Sequence, residues 1–225
     1  MPRKKRTVLA CVALPMLTGA ALAGPDWTEV GDAGSFFNSA QAPAGTGQIR
    51  SISGSLGGRG PNVDYEDMYI IGVDTPTAFR LEVINPGFDA QLFVFNITLS
   101  GGALGLLAND NADGNTTDPL LTPVATDGSL AILDLPGDYL VAVTGKGRNP
   151  ISNGGLIFDI QDPTEVSGAD GPGGLLRHTG WEGEGEVGQY SVMMDGTIFP
   201  QIPAPGALVA ASAAGLLASR RRRQS

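Results

Sequence analysis

The chain has 225 residues, and 33 glycines with 16 prolines make up 49 of them, about 22%, below the roughly 25–30% at which a chain stops being globular. Hydrophobic residues are 42% and charged residues only 16%, a balance that excludes a helical bundle or coiled coil and favours β-structure with long turns. The formal charge of −9 hides two basic ends: between them, six basic residues face 23 acids, a net −17 that argues against nucleic acid as a partner.

Residues 1–23 read as a secretory signal peptide. Arg3, Lys4, Lys5 and Arg6 form the cationic start, and Val8 to Leu17 is apolar. Ala21 and Ala23 place small residues at both positions that signal peptidase inspects, predicting cleavage before Gly24. A buried N-terminal helix is the poorer reading, because Pro15 and Gly19 interrupt it and the four cations resist burial. Cys11, the single cysteine, lies in this segment, so the rest of the chain has neither disulfide nor thiol chemistry. Only four residues separate the cations from Cys11, too short an apolar core for a lipidation signal.

Beyond residue 24 the apolar residues alternate. Ile49 to Leu56 and Met68 to Val73 are the first candidate strands. Phe79, Leu81 and Val83 then share one face while Arg80 and Glu82 take the other, the mark of a half-buried strand. Gln91 to Asn96 is almost continuously apolar, as a central strand would be. Leu130 to Leu133 is a shorter candidate, followed by alternation at Tyr139, Val141 and Val143 and again at Tyr190, Val192 and Met194. Turn chemistry separates these runs, at Asn85 to Gly87, Asn109 to Asn115, Leu135 to Asp138 and Gly145 to Pro150. The prediction is an all-β fold, an antiparallel β-sandwich or jelly roll over residues 24–198. A signal helix and a short apolar C-terminal helix would flank it.

The segments "DYEDMYIIGV", "FRLEVI", "GFDAQLFVFN", "GLLANDN" and "LPGDYLVAVTG" occur in that order over residues 64–145. This stretch resembles the bacterial pre-peptidase C-terminal domain, a β-sandwich appended to secreted hydrolases and present in other exported proteins. "WTEVGDAGSFFNSAQ" from Trp27 and the later "GGLIFDI", "GPGG" and "GQYSVMMDG" look like flanks of the same unit. The resemblance implies a non-catalytic accessory fold, and no recognisable catalytic domain accompanies it.

Candidate chemistry is sparse. His178 is the only histidine, and nothing marks a nucleophile or an orienting carboxylate for it, so an exposed or locally hydrogen-bonded ring is expected. "NDNADGNTTD" puts Asn109, Asn111, Asp113 and Gly114 at the first, third, fifth and sixth positions of an EF-hand-like loop, but Leu120 stands where the bidentate Glu belongs. Two readings stay open: a turn, or a calcium site drawing on Asp110, Asp113 and Asp118. Glu182, Glu184 and Glu186 alternate; if extended they share one face, repelling unless solvated or bridged by a cation, and a solvated mobile loop is expected. No cofactor is implied beyond that calcium.

The C-terminus combines a break at Pro203, Pro205 and Gly206, an apolar run from Ala207 to Ala218, and Arg220, Arg221, Arg222 and Arg223. Twelve residues make a helix of about 18 Å, short of a roughly 30 Å hydrocarbon core. Such a tail suits transient anchoring with its arginines on the cytoplasmic side. The pattern resembles the bacterial PEP-CTERM sorting signal, with Ala204 in place of that motif's Glu. The resemblance implies processing by an exosortase-type membrane protease after signal peptidase, and delivery to the cell envelope or extracellular polysaccharide. The expectation is thus a non-enzymatic, surface-sorted protein with a structural or adhesive role; the alternatives are a calcium- or glycan-binding module and, more remotely, a polysaccharide hydrolase.

Overall fold

Alternating runs become strands because each can bury one face, and here several bury both. The computed structural model describes residues 26–57, 63–84 and 86–201. The signal cleavage residues Ala21, Ala23 and Gly24 and the sorting residues Pro203, Pro205, Gly206 and Arg220 to Arg223 lie outside them, as do the two predicted flanking helices. Among the described residues the chain forms β1 (Trp27–Thr28), β2 (Ser51–Ser55), β3 (Glu66–Val73), β4 (Arg80–Val83), β5 (Ala90–Ile97), β6 (Ala103–Asn109) and β7 (Leu120–Leu121). It continues through β8 (Gly137–Gly145), β9 (Asn149–Ser152), β10 (Gly155–Leu156), β11 (Ser167–Gly168), β12 (His178–Glu182), β13 (Gln189–Asp195) and β14 (Thr197–Ile198). A 3-10 turn at Pro76–Ala78 joins β3 to β4, and no described helix is long and apolar enough to cross a membrane.

The strands form three sheets. One has the order β1-β2-β13-β4-β7, a second β11-β6-β5-β8-β3-β14, and a third β10-β9-β12. Pairing between these strands is antiparallel, except that β1 runs parallel to β2, and an isolated bridge of Gln41 with Tyr69 is also parallel. The fold is therefore all-β with antiparallel sheets, as the alternation predicts.

The two larger sheets face each other, an arrangement consistent with a β-sandwich. Ile52, Leu81, Val83, Tyr190, Val192 and Met194 of the five-stranded sheet share one core cluster with Tyr69, Ile71, Leu92, Val94, Val141 and Val143 of the six-stranded sheet. The outer face of the five-stranded sheet carries Ser51, Ser53, Arg80, Glu82, Ser191 and Met193, none of them buried. The six-stranded sheet is covered on its second face too. Met68, Ile70, Phe93, Phe95, Leu140 and Ala142 form a separate buried cluster with Ile157 and Phe158, against which Phe37, Ala42 and Trp181 pack. That double burial explains the unbroken apolar run in β5, which lies between β6 and β8.

Several strands depart from the expected pattern. Leu130 to Leu133 forms only an isolated bridge, Ile132 with Val124, because Leu130 adopts φ 63° and breaks the extended backbone. Strand β6 goes unmarked by alternation because a bulge opposite Val94 and Phe95 shifts its register past Leu106. β9 contains Asn149 and Pro150, which look like turn residues, but the chain extends there to pair with β12.

The double burial makes β5 the least replaceable strand. Phe93 is fully buried and meets Phe158 and Trp181 at ring distances of 5.6 and 5.9 Å. Phe93→Ala is expected to cost about 3–5 kcal/mol of unfolding free energy. Met193→Ala, on the solvated face, should stay within about 0.5 kcal/mol. Urea unfolding of both variants checks the contrast.

Candidate functional site

In β3 the residues facing the inter-sheet core are Tyr69, Ile71 and Val73. Asp67 has the same parity, so the pleat drives a carboxylate inward, where it is 0% exposed. Its Oδ2 accepts a 2.6 Å hydrogen bond from the Tyr190 hydroxyl of β13. The Tyr69 and Tyr190 hydroxyls lie 2.7 Å apart. Tyr190 has one proton and gives it to Asp67, so Tyr69 is the donor to Tyr190. The relay thus crosses from one sheet to the other and back. Gly54 of β2 leaves room for it: a Cβ there would stand 2.3 Å from the Tyr190 hydroxyl and 2.8 Å from that of Tyr69. Burial raises both phenols above their ordinary pKa, holding them as donors.

Asp67 Oδ1 is buried and has no hydrogen-bond partner. Two further carboxylates converge on this residue. One oxygen from each of Asp32, Asp64 and Asp67 lies within 4.8 Å of the others. Asp64 is placed by a bridge in which its N–H donates to Gly57 O at 2.6 Å and its carbonyl accepts from Gly57 N at 3.0 Å. Asp32 sits on a loop whose local turns are built by acids: its Oδ1 accepts from Gly34 N at 2.6 Å, and Glu29 accepts from Ala33 N at 3.1 Å and Ser55 N at 2.9 Å. The loop is held to β3 where Met68 N donates to Gly34 O, Gln41 N to Met68 O, and Ile70 N to Gln41 O. A cavity of about 510 Å³ opens alongside, lined by Glu29, Ser53, Gly54, Ser55 and Tyr190 among others.

The site is electrostatically unbalanced. Burial, then the charge of Asp32, pushes the Asp64 carboxyl up to about 7. Burial pushes Asp67 up to about 8; its bond from Tyr190 opposes the rise, and Asp64, Glu29 and Asp32 add to it. Elsewhere at the same end of the sheet, acids have cationic partners. Lys146 Nζ stands 2.9 Å from Asp110 and 3.2 Å from Asp89, and Arg148 binds both oxygens of Glu66 at 2.8 and 3.1 Å.

Among the described residues, the acids singled out in the sequence hold separate positions on the 109–120 loop. Asp110 is buried and engaged with Lys146, and burial raises its pKa in spite of that partner. Asp113 is exposed and accepts from Asn115 N at 2.7 Å, an Asx turn. Asp118 donates its N–H to Thr116 Oγ1 at 3.0 Å. Asn109 acts as a staple, giving its amide to Asn111 O and Glu165 O and accepting from Leu120 N. The loop does not bring Asp110, Asp113 and Asp118 into one group; among the described residues the group that forms is Asp32, Asp64 and Asp67. One signal in the sequence points to it, an acid at 67 in register with the core-facing residues of β3. The approach of Asp32 has none.

The glutamates of "WEGEGEVG" do not share a face, because Gly183 turns the backbone at φ 82°. Their loop is fastened to the body: Gly183 O accepts from Arg148 Nη1 at 2.7 Å, and Glu186 accepts from Asp89 N at 2.8 Å. His178 is half-buried among Phe36, Phe95 and Trp181, at ring distances of 5.7, 5.6 and 4.9 Å. Of the two outcomes expected for it, exposed or locally hydrogen-bonded, the half-buried ring takes the second, through the Gly180 backbone. Its Nε2 is buried without a partner, and burial lowers its pKa to about 4 against a bond to the Gly180 backbone.

Comparison of the chain with protein-family models, with curated proteins and with solved structures finds no match.

Two outcomes follow from this geometry. Tyr190→Phe leaves buried Tyr69 and Asp67 without their shared partner and is expected to cost about 1–3 kcal/mol, whereas Tyr69→Phe removes only the relay's end and should cost about 0.5–1.5 kcal/mol; chemical denaturation ranks the two. For His178, the folded state resists a proton that the unfolded chain takes up below pH 6.5. Its contribution is therefore intact above that pH and is lost as pH falls toward about 4, at no more than about 1.4 kcal/mol per pH unit. Asp64 and Asp67 act with the opposite sign as pH rises through their raised values. The effect should thus appear as a wild-type-minus-His178→Phe difference in stability that shrinks on acidification from pH 6.5 to 4.

Proposed function

We propose that this chain is an exported, surface-sorted, non-enzymatic β-sandwich or jelly-roll protein with a structural or adhesive role in the cell envelope or extracellular matrix. The observation that carries the reading is the antiparallel all-β body, in which the first and last of the described strands, β1 (Trp27–Thr28) and β14 (Thr197–Ile198), are both built into sheets. The stretch resembling the pre-peptidase C-terminal domain, residues 64–145, contains β3 to β8. It depends on strands outside it, since β13 pairs with β4 and β14 with β3. Residues 24–198 therefore behave as one unit in this reading.

Direction supports the same role. Gln201 N donates to Asp138 Oδ1 at 3.0 Å, and Asp138 pairs with Gly72 at the far end of β3 from Asp64. Eight residues of strand separate those ends, about 26 Å at roughly 3.3 Å per residue. A tail held at the membrane leaves the Asp64 end of the body pointing outward, toward matrix polysaccharide or neighbouring proteins. In this reading signal peptidase and an exosortase-type protease are the processing partners.

Replacing Arg220, Arg221, Arg222 and Arg223 with Ser should abolish the orientation bias of the tail and reduce surface delivery. Surface biotinylation together with the intact mass of the recovered protein reports delivery and both cleavages. Normal delivery of the Ser variant would contradict the sorting role.

A further inference from the structure

We infer that Asp32, Asp64 and Asp67 bind one calcium ion that clips the segment containing Asp32 onto β3. The site stands whether or not the tail is sorted as proposed above. Three observations converge on it. The donor set is all carboxylate oxygen, the chemistry of a hard cation and not of zinc or copper, which draw on nitrogen and sulfur. The mutual spacing, within 4.8 Å, is what oxygens about 2.3–2.6 Å from one shared calcium require. One donor residue, Asp67, is 0% exposed with a buried Oδ1 that no protein group satisfies, a position that a bare carboxylate tolerates poorly. Asp89 and Asp110 also have a buried Oδ1 without a hydrogen-bond partner, but each carries Lys146 on its other oxygen, and Arg148 pairs with Glu66, so these acids have a cation beside them. Among the described residues no ion pair forms to Asp32, Asp64 or Asp67.

The three ligands come from two places in the chain, so the ion has a structural consequence. Strand β14 reaches only Val73 and Gly72 of β3. Below them, the edge of β3 is completed by the loop, through Gly34 O with Met68 N and Gln41 with Met68 O and Ile70 N. The same segment lays Phe37, Ala40 and Ala42 against the outer core cluster. Without a cation, Asp32 repels Asp64 and Asp67 at the start of this strap; with calcium, that repulsion becomes attraction. Calcium binding therefore reinforces the backbone pairing that covers this edge of β3.

The test uses the full-length protein stripped with EDTA. Calorimetric titration with calcium chloride should show one site. Calcium about 100-fold above Kd should raise Tm by about 5 °C or more and slow amide exchange at Met68 and Ile70, with a smaller effect from magnesium. Asp32 is exposed, and its Asn variant keeps an acceptor for Gly34 N while relieving the repulsion, so stripped Asp32→Asn should melt no lower than stripped wild type yet bind calcium at least tenfold more weakly. Asp64→Asn should weaken binding likewise. Absence of calcium binding by wild type overturns the proposal. So does wild-type affinity in Asp32→Asn and Asp64→Asn, or loss of binding in Asp113→Asn alone, which would move the ion to the 109–120 loop.

Discussion

Burial of the six-stranded sheet on both faces is the constraint from which the rest of the architecture follows. All eight residues of β3 are buried, as are Ala90 to Phe95 of β5 and Tyr139 to Gly145 of β8. Every one of these backbone groups needs a hydrogen-bonding neighbour and every side chain an apolar one. The five-stranded sheet supplies cover on one side. The other side needs a third layer, and β9, β12, Ile157, Phe158 and the loop bearing Phe37 and Ala40 provide it. The five-stranded sheet has no such demand on its outer face, which is why its strands keep a simple alternation of apolar and polar residues.

That constraint gives the acidic end its character. A strand that buries both faces leaves no outward position for Asp67. The pleat sends it between the sheets, and the Tyr190 hydroxyl, itself bonded to that of Tyr69, solvates one of its oxygens in place of water. Nearby acids are matched by Lys146 and Arg148, two of the six basic residues between the termini. The 23 acids of the same stretch outnumber its six basic residues. Asp32, Asp64 and Asp67 are where the surplus negative charge is drawn together, beside the strap that completes the edge of β3.

The same imbalance bears on the role of the protein. A strongly anionic body repels other polyanions and suits contacts with cations, basic partners or hydrated polysaccharide. Both of its termini, by contrast, are cationic. In the proposed reading the ends direct the chain to the surface and the body acts there by its shape, its acidic end and the cation it holds, without bond-making chemistry.

Composition and period-two patterning determined the all-β class, the central place of β5, and the strands β2, β3, β4, β8 and β13, because half-buried and fully buried strands leave local signatures. The same local rules failed at Leu130 to Leu133, where a left-handed residue breaks the strand, and at β6, where a bulge erases alternation. They failed again at β9, where Asn149 and Pro150 resemble a turn until β12 pairs with them. For the site, the sequence by itself offered only the inward parity of Asp67 and pointed to the Asn- and Asp-rich loop, where Asp110 pairs with Lys146 and Asp113 accepts from its own turn. Bringing Asp32 to Asp64 and Asp67, and Tyr190 to Tyr69, was decided by tertiary structure alone. These residues are joined by sheet pairing and loop docking across tens to more than a hundred positions, and no local pattern encodes which distant carboxylates a fold will place together.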